Sequence, residues 1–156
     1  MQKLGLNAVC YFKVGGVAGA ADWLPLSNLK DLTLDLQSGE ADVTTRAANG
    51  WRLKVATLKE ASIEGEMLWD TSDGGFTALK NAFFTNSLIG ILALDGPLSV
   101  VGNEGLKADC NVLSFTRDEK LEDALTVKIK LSPTYSTQPP QWVRTQAGGT
   151  LIVVES

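Results

Sequence analysis

The sequence predicts an antiparallel β-sandwich or barrel flanked by one α-helix, with a long loop projecting from it. Three observations carry that reading. LKDLTLDLQ at 29–37 alternates strictly between apolar and polar residues, and LTVKIKL at 125–131, within a strand at about 123–131, does the same. Period two is the mark of a half-buried strand, because successive side chains leave opposite faces of the sheet. The stretch 71–86 breaks this rhythm with Phe76, Leu79 and Phe83 at helical spacing. Between the strand at 29–37 and the next, GEADVTTRAANGW spends a dozen residues where a simple hairpin needs two to five.

Taken in chain order, NAVCYFKV places Ala8, Cys10, Phe12 and Val14 on one strand face. GGVAGA at 15–20 is rich in glycine, but no Lys-Ser/Thr and no helical pattern follow it, so it reads as a connection and not a phosphate loop. In 29–37, Leu32, Leu34 and Leu36 point one way, and Asp31, Thr33, Asp35 and Gln37 the other. WRLKVAT and ASIEGEMLW then read as two strands turned about Leu58-Lys59-Glu60, the first being the expected partner of 29–37. In the second, Ile63, Met67 and Trp69 oppose Ser62, Glu64 and Glu66. Thr71, Ser72 and Asp73 are candidate caps for the helix, which should end at Asn86. LIGILALDG resumes the strands before an Asp-Gly-Pro turn. Strands at about 106–115 and 123–131 follow, joined by TRDEKLED, with Leu125, Val127, Ile129 and Leu131 inward. The tail from about 137 carries Pro139-Pro140 and Gly148-Gly149 and ends in an apolar piece, Leu151 to Val154, that suits an edge strand. No repeat or linker divides residues 1–156, which read as a single domain with an arm loop at 38–50 and a C-terminal extension at 137–156.

Composition excludes much chemistry. Histidine is absent, so histidine-activated nucleophiles, His-containing zinc sites and imidazole acid–base catalysis are ruled out. The 18 acids against 14 bases give a net charge of −4, with no basic footprint for gripping nucleic acid. Cys10 and Cys110 are too few for a zinc cluster and read as buried reduced thiols, a disulfide between them remaining open. No apolar run approaches membrane-spanning length, and no membrane anchor is expected. The start, MQKLGLNAVCYFKV, has too short an apolar region for a leader, so assembly in a reducing cytoplasm is expected.

Carboxylates offer the best catalytic candidates. Glu64 and Glu66 are two apart on one strand face, about 7 Å, a spacing that in principle suits an inverting glycosidase pair. Both point away from the apolar face with no aromatic cluster beside them, which favours a solvated or lumen-facing surface. Asp31 with Asp35, and Lys128 with Lys130, repeat the pattern, so it belongs to a surface and not to a site. Asp70, Asp73 and Glu66 lack calcium-loop spacing, and capping explains Asp73. The tryptophans Trp23, Trp51, Trp69 and Trp142 sit at strand or loop ends, where packing or interface burial is commoner than ligand stacking. No catalytic constellation, metal site or cofactor site emerges. The expectation is a non-enzyme that binds something or binds itself.

One resemblance is specific. LSNLKDLTLDLQSGEADVTTRAANGWRLKVATLKEASIEGEMLWD, the FTALKNAF helix and GLKADCNVLSFTRDEKLEDALTVKIKLSPTYS resemble the tail tube (major tail) proteins of tailed bacteriophages and prophages. The likeness runs from about residue 5 to 136, most specifically over GEADVTTRAANGW and FTRDEKLEDALTV, and leaves 143–156 outside. It implies a homo-oligomer: a ring of six copies whose pooled strands line a channel, stacked with others into a virion tail tube. DNA passes through without specific binding, and tape measure, terminator and, in contractile tails, sheath proteins are the implied partners. It also implies that the long loop is an assembly arm. Glu40, Asp42, Thr44, Thr45 and Arg46 would make its contacts between subunits or rings, and Trp51 would anchor its base. Asp31, Asp35, Glu64 and Glu66 are the candidate lumen lining, since acids repel phosphates where bases would hold them. The resemblance does not separate contractile from non-contractile tails. The tube protein of a bacterial contractile injection system, or a β-sandwich virion decoration or carbohydrate-binding module, are the alternatives.

Overall fold

A computed structural model describes residues 2–19 and 21–155. Its strands are β1 (Val9–Val14), β2 (Leu24–Pro25), β3 (Leu29–Asp42), β4 (Lys54–Leu68), β5 (Ile89–Leu94), β6 (Glu104–Asp118), β7 (Thr126–Pro133), β8 (Gln141–Thr145) and β9 (Leu151–Glu155), with one helix, α1 (Gly74–Thr85). The pairing is antiparallel throughout, in the order β2-β1-β5-β6-β7-β4-β3. The end strands of this path, β2 and β3, are separated in sequence only by Leu26, Ser27 and Asn28. So short a link, at most about 10 Å, brings the two edges together and curls the sheet toward closure. The expected antiparallel β architecture with one helix is what forms.

β6 organises the rest. Leu106 and Lys107 pair with β5 on one edge and β8 on the other, while Cys110 to Asp118 pair with β7. β7 and β8 thus follow one another along the same edge of β6. Asp109, buried in that strand, accepts a hydrogen bond from the Val17 backbone N–H at 2.6 Å and another from the Ser136 hydroxyl. Both flanking loops are fastened to the sheet by this one carboxylate. The C-terminal extension is integral to the fold: β9 pairs with β8, and Val143 is fully buried against Leu92 and Leu94.

The main core lies inside the curl, where Phe12, Ile63, Met67, Ile91, Val127 and Leu131 meet Phe76 and Leu79 of α1. The helix boundaries follow the sequence signals. Asp73 caps the first turn by accepting from the Phe76 N–H at 2.9 Å, and Asn86 closes the last at φ 54°. Trp69, Phe76 and Phe115 pack edge-to-face or tilted, with centroids 4.8 to 6.2 Å apart. Cys10 and Cys110 are buried free thiols, and burial pushes both up to about 12.

Two sequence expectations change. No turn occurs at Leu58-Lys59-Glu60, because β4 runs unbroken from Lys54 to Leu68. The partner of residues 29–37 is therefore 60–67, and residues 54–56 pair instead with 40–42. Leu125 lies outside β7 and is partly exposed.

Candidate assembly surfaces

The β3–β4 hairpin is longer than its host sheet. β4 pairs with β7 only from Ile63 to Leu68, so nine residues, Ser62 back to Lys54, extend beyond that contact. At about 3.3 Å per residue this is a ribbon of roughly 30 Å. Residues 35–47 and 49–60 are all exposed. The arm is thus a two-stranded β-ribbon with a short tip at 43–53, and not a loop at 38–50.

The tip is built locally. Asn49 and Gly50 both take positive φ, 54° and 83°, as a tight primed turn requires, and the Trp51 N–H donates to the Ala48 carbonyl at 3.0 Å. Asp42 accepts from the Thr44 N–H at 2.9 Å, and the Thr44 hydroxyl accepts from the Leu53 N–H at 2.9 Å. The Thr44 hydroxyl and N–H hold the Asp42 carboxyl below its ordinary range. Glu40 and Lys54 form an ion pair at 2.6 Å. Glu40, Asp42 and Thr44 therefore stabilise the arm itself, while the side chains of Thr45, Arg46 and Trp51 make no hydrogen bond or ion pair among the described residues. Trp51, 73% exposed, stands at the tip and not at the base.

A bulge reverses the arm's polarity. At its root, Leu34 opposes Ile63 and Leu36 opposes Ala61 on the core face, whereas Asp31 opposes Glu66 and Thr33 opposes Glu64 on the outer face. Between Ser38↔Lys59 and Glu40↔Ala56, β3 advances two residues and β4 three. An extra residue moves every later side chain of β4 to the other face. Beyond it Ala41, Val43, Leu53 and Val55 share the face that is acidic at the root, and Glu40, Asp42 and Lys54 take the other. The apolar patch at the tip thus faces away from the protein's own core.

The outer face at the root holds all four candidate lining residues, Asp31, Asp35, Glu64 and Glu66, on two adjacent strands. Two lysines missed as neighbours in the sequence join them from β7: Glu64 opposes Lys130 and Glu66 opposes Lys128. Lys130 lies 3.9 Å from Glu64, and Lys128 lies 3.3 Å from Asp118 of β6. The result is a shallow open groove, also lined by Ser114, Thr116 and Gly65, in which the carboxylates of Asp31, Glu64, Glu66 and Asp118 face the ammonium groups of Lys128 and Lys130, with Asp35 on the same strand face just outside it. These ion pairs are solvent-exposed and contribute at most about 1 kcal/mol each. Among the described residues no cluster of potential metal ligands occurs, and no helix is long and apolar enough to cross a membrane.

This curled antiparallel sheet with one helix is similar in fold to solved chains of tails and of a tail tube. Its solved counterparts include a chain of the tail of an empty gene transfer agent particle refined with C6 symmetry, at a TM-score of 0.70 and 13% identity over 86% of this chain and 96% of that one. A chain of the native gene transfer agent virion gives 0.67 at 12% identity, covering 93% of this chain and 100% of that one. The SPP1 tail tube gives 0.65 at 16% identity, over 84% of this chain and 75% of that one. A chain of the anti-feeding prophage baseplate gives 0.59 at 12% identity, over 91% and 95%. No family model and no curated protein sequence matches the chain.

Proposed function

We propose that this chain is the structural subunit of a tail tube, joining copies of itself into a ring, expected to be sixfold, and stacking rings into a channel for DNA. The observation that carries the reading is the likeness, over 86% of the chain, to the subunit fold of a tail refined with C6 symmetry. The reading places the protein in the virion after assembly in the host cytoplasm, beside tape measure and terminator proteins, and gives it no enzymatic role. Glu40, Asp42 and Thr44 keep the arm in shape, and Thr45, Arg46 and Trp51 supply its outward contacts. Asp31, Asp35, Glu64 and Glu66 line the lumen, where an excess of carboxylates over lysines keeps phosphates from settling.

Negative-stain microscopy of concentrated protein tests assembly, with rings or tubes of open channel expected and a strict monomer counting against it. Glu64→Lys/Glu66→Lys tests the lining. Tubes of this variant should retain DNA with an affinity that falls steeply with salt, while wild-type tubes retain none. DNA retention unchanged by the substitutions would move these glutamates out of the channel. The tube of a contractile injection system is the second reading, favoured by the likeness to the anti-feeding prophage baseplate chain. Because a contractile phage tail would carry a sheath too, sheathed tubes isolated without a DNA-filled head would select it.

A further inference from the structure

The arm tip and the β6–β7 loop lie at opposite ends of the same strands. β4 leaves its pairing with β7 at Ile63 to become the arm, whereas the β6–β7 loop, 119–125, closes beside the other end, where the Trp69 N–H donates to the Leu125 carbonyl at 2.9 Å. The two projections are unlike in charge. Residues 43–53 carry Arg46 and Arg52 and no acid, and 119–125 carry Glu119, Glu122 and Asp123 against Lys120 alone. Glu119 is bound to Arg117 at 2.8 Å, while Glu122 and Asp123 have no ion-pair partner among the described residues. Both projections also expose apolar side chains: the tip shows Trp51 and the Val43–Val55 face, and the loop shows Leu121 wholly exposed.

A two-stranded ribbon with an apolar face is marginal in water unless something packs on it. The bulge turns that face away from the protein's own core, so the cover comes from another molecule. We propose that the arm tip of one copy seats on the β6–β7 loop of the next copy, Arg46 and Arg52 meeting Glu122 and Asp123 while the apolar tip face covers Leu121. The contact is head-to-tail, and such contacts close into a ring or run on in line according to the rotation between copies; here the two patches lie at opposite ends of the same strands, which favours copies stacked in line. This rests on the tube reading and assigns the contact to the joining of successive rings, not to closure of one ring.

The test uses the full chain in three variants: Arg46→Glu/Arg52→Glu, Glu122→Arg/Asp123→Arg, and all four together. Each pair alone should abolish tubes in microscopy and sedimentation while leaving the far-UV spectrum and melting curve unchanged. The fourfold variant, with charges exchanged, should recover tubes. A second variant, Trp51→Cys/Leu121→Cys, should give a ladder of disulfide-linked multimers when wild-type-like tubes are oxidised with copper phenanthroline, and either substitution alone should not. The inference is overturned if the paired reversals form tubes as the wild type does, or if the fourfold variant stays unassembled and the double cysteine gives no ladder. A wild type that forms no rings or tubes overturns the tube reading itself.

Discussion

The root and the tip of the β3–β4 hairpin share the same two strands, paired antiparallel on both sides of the bulge, yet only one of them belongs to the core. At the root Ile63 and Met67 are fully buried; about 16 Å beyond Ile63 along the same strand, Leu58 is 82% exposed. Backbone hydrogen bonds do not account for the contrast, since both halves have them. What differs is the third strand. Where β7 lies alongside, one face of the ribbon is pressed on α1 and the opposite sheet; where β7 ends, the ribbon stands alone. Strand pairing makes a ribbon, and a neighbour makes it a core.

Removing the tip is the most severe test of this division. Replacing residues 39–58 by an Asn-Gly turn joins Ser38 to Lys59, which already oppose each other. The shortened chain should stay folded, with a melting temperature within about 3 °C of the parent's, as expected when little stability is removed. Ring or tube formation should be lost entirely in the microscope. Failure to fold would mean that the tip supports the core.

Single truncations measure the same boundary in energy. Ile63→Ala should cost about 2–5 kcal/mol in urea unfolding, because a fully buried side chain leaves a cavity. Leu58→Ala should stay within about 0.5 kcal/mol in the unassembled protein. Similar costs at both positions would erase the distinction between root and tip.

The buried thiols sharpen it from the core side. Burial raises Cys10 and Cys110 from 9.0 to about 12, so the unfolded chain releases these protons first as pH rises. Stability should be intact below about pH 8.5 and should fall as pH climbs toward 12, by up to about 1.4 kcal/mol per unit for each thiol. Cys10→Ala should make that decline shallower in denaturation curves recorded across the window, and unchanged curvature would show that other groups control it. The smallest effect belongs to the tip. Asp42 is held below its ordinary range, so its bond to Thr44 should persist above about pH 4 and be lost as pH falls through the depressed value. Faster amide exchange at Thr44 in acid, with global stability unaltered, is the expected reading, and exchange independent of pH after base-rate correction would contradict it.

Much of this was legible in the sequence for identifiable reasons. Asp73 and Asn86 mark the ends of α1 because a capping carboxylate and a left-handed asparagine are local devices. The alternation at 29–37 and at about 123–131 announced β3 and β7, the second with a start a few residues too early, and the apolar tail announced β9. The long β4 was misread as two strands because its bulge adds a residue near Leu58, and an added residue interrupts period two just as a turn does. The charged faces could be assigned by alternation, but Lys128 and Lys130 could not be placed beside Glu66 and Glu64. Their partnership spans more than sixty residues of chain and depends on the sheet order. For the same reason the apolar side of the tip was hidden: Val43 and Val55 become neighbours on one face only once the register is known.

β6 also carries a consequence for how the protein is made. It is the strand on which β5, β7 and β8 all converge, and it spans Glu104–Asp118. During synthesis the hairpin at 29–68 leaves the ribosome before β5, β6 and β7 and needs only its own local turn, whereas the core cannot close until β7 has followed β6. The nascent chain therefore displays its adhesive ribbon before it has a body to carry it. Closure through such distant pairings belongs with the slower class of folding topologies, on the order of milliseconds to seconds, so the order of emergence favours crowded polysomes as the place where premature contacts between chains would begin.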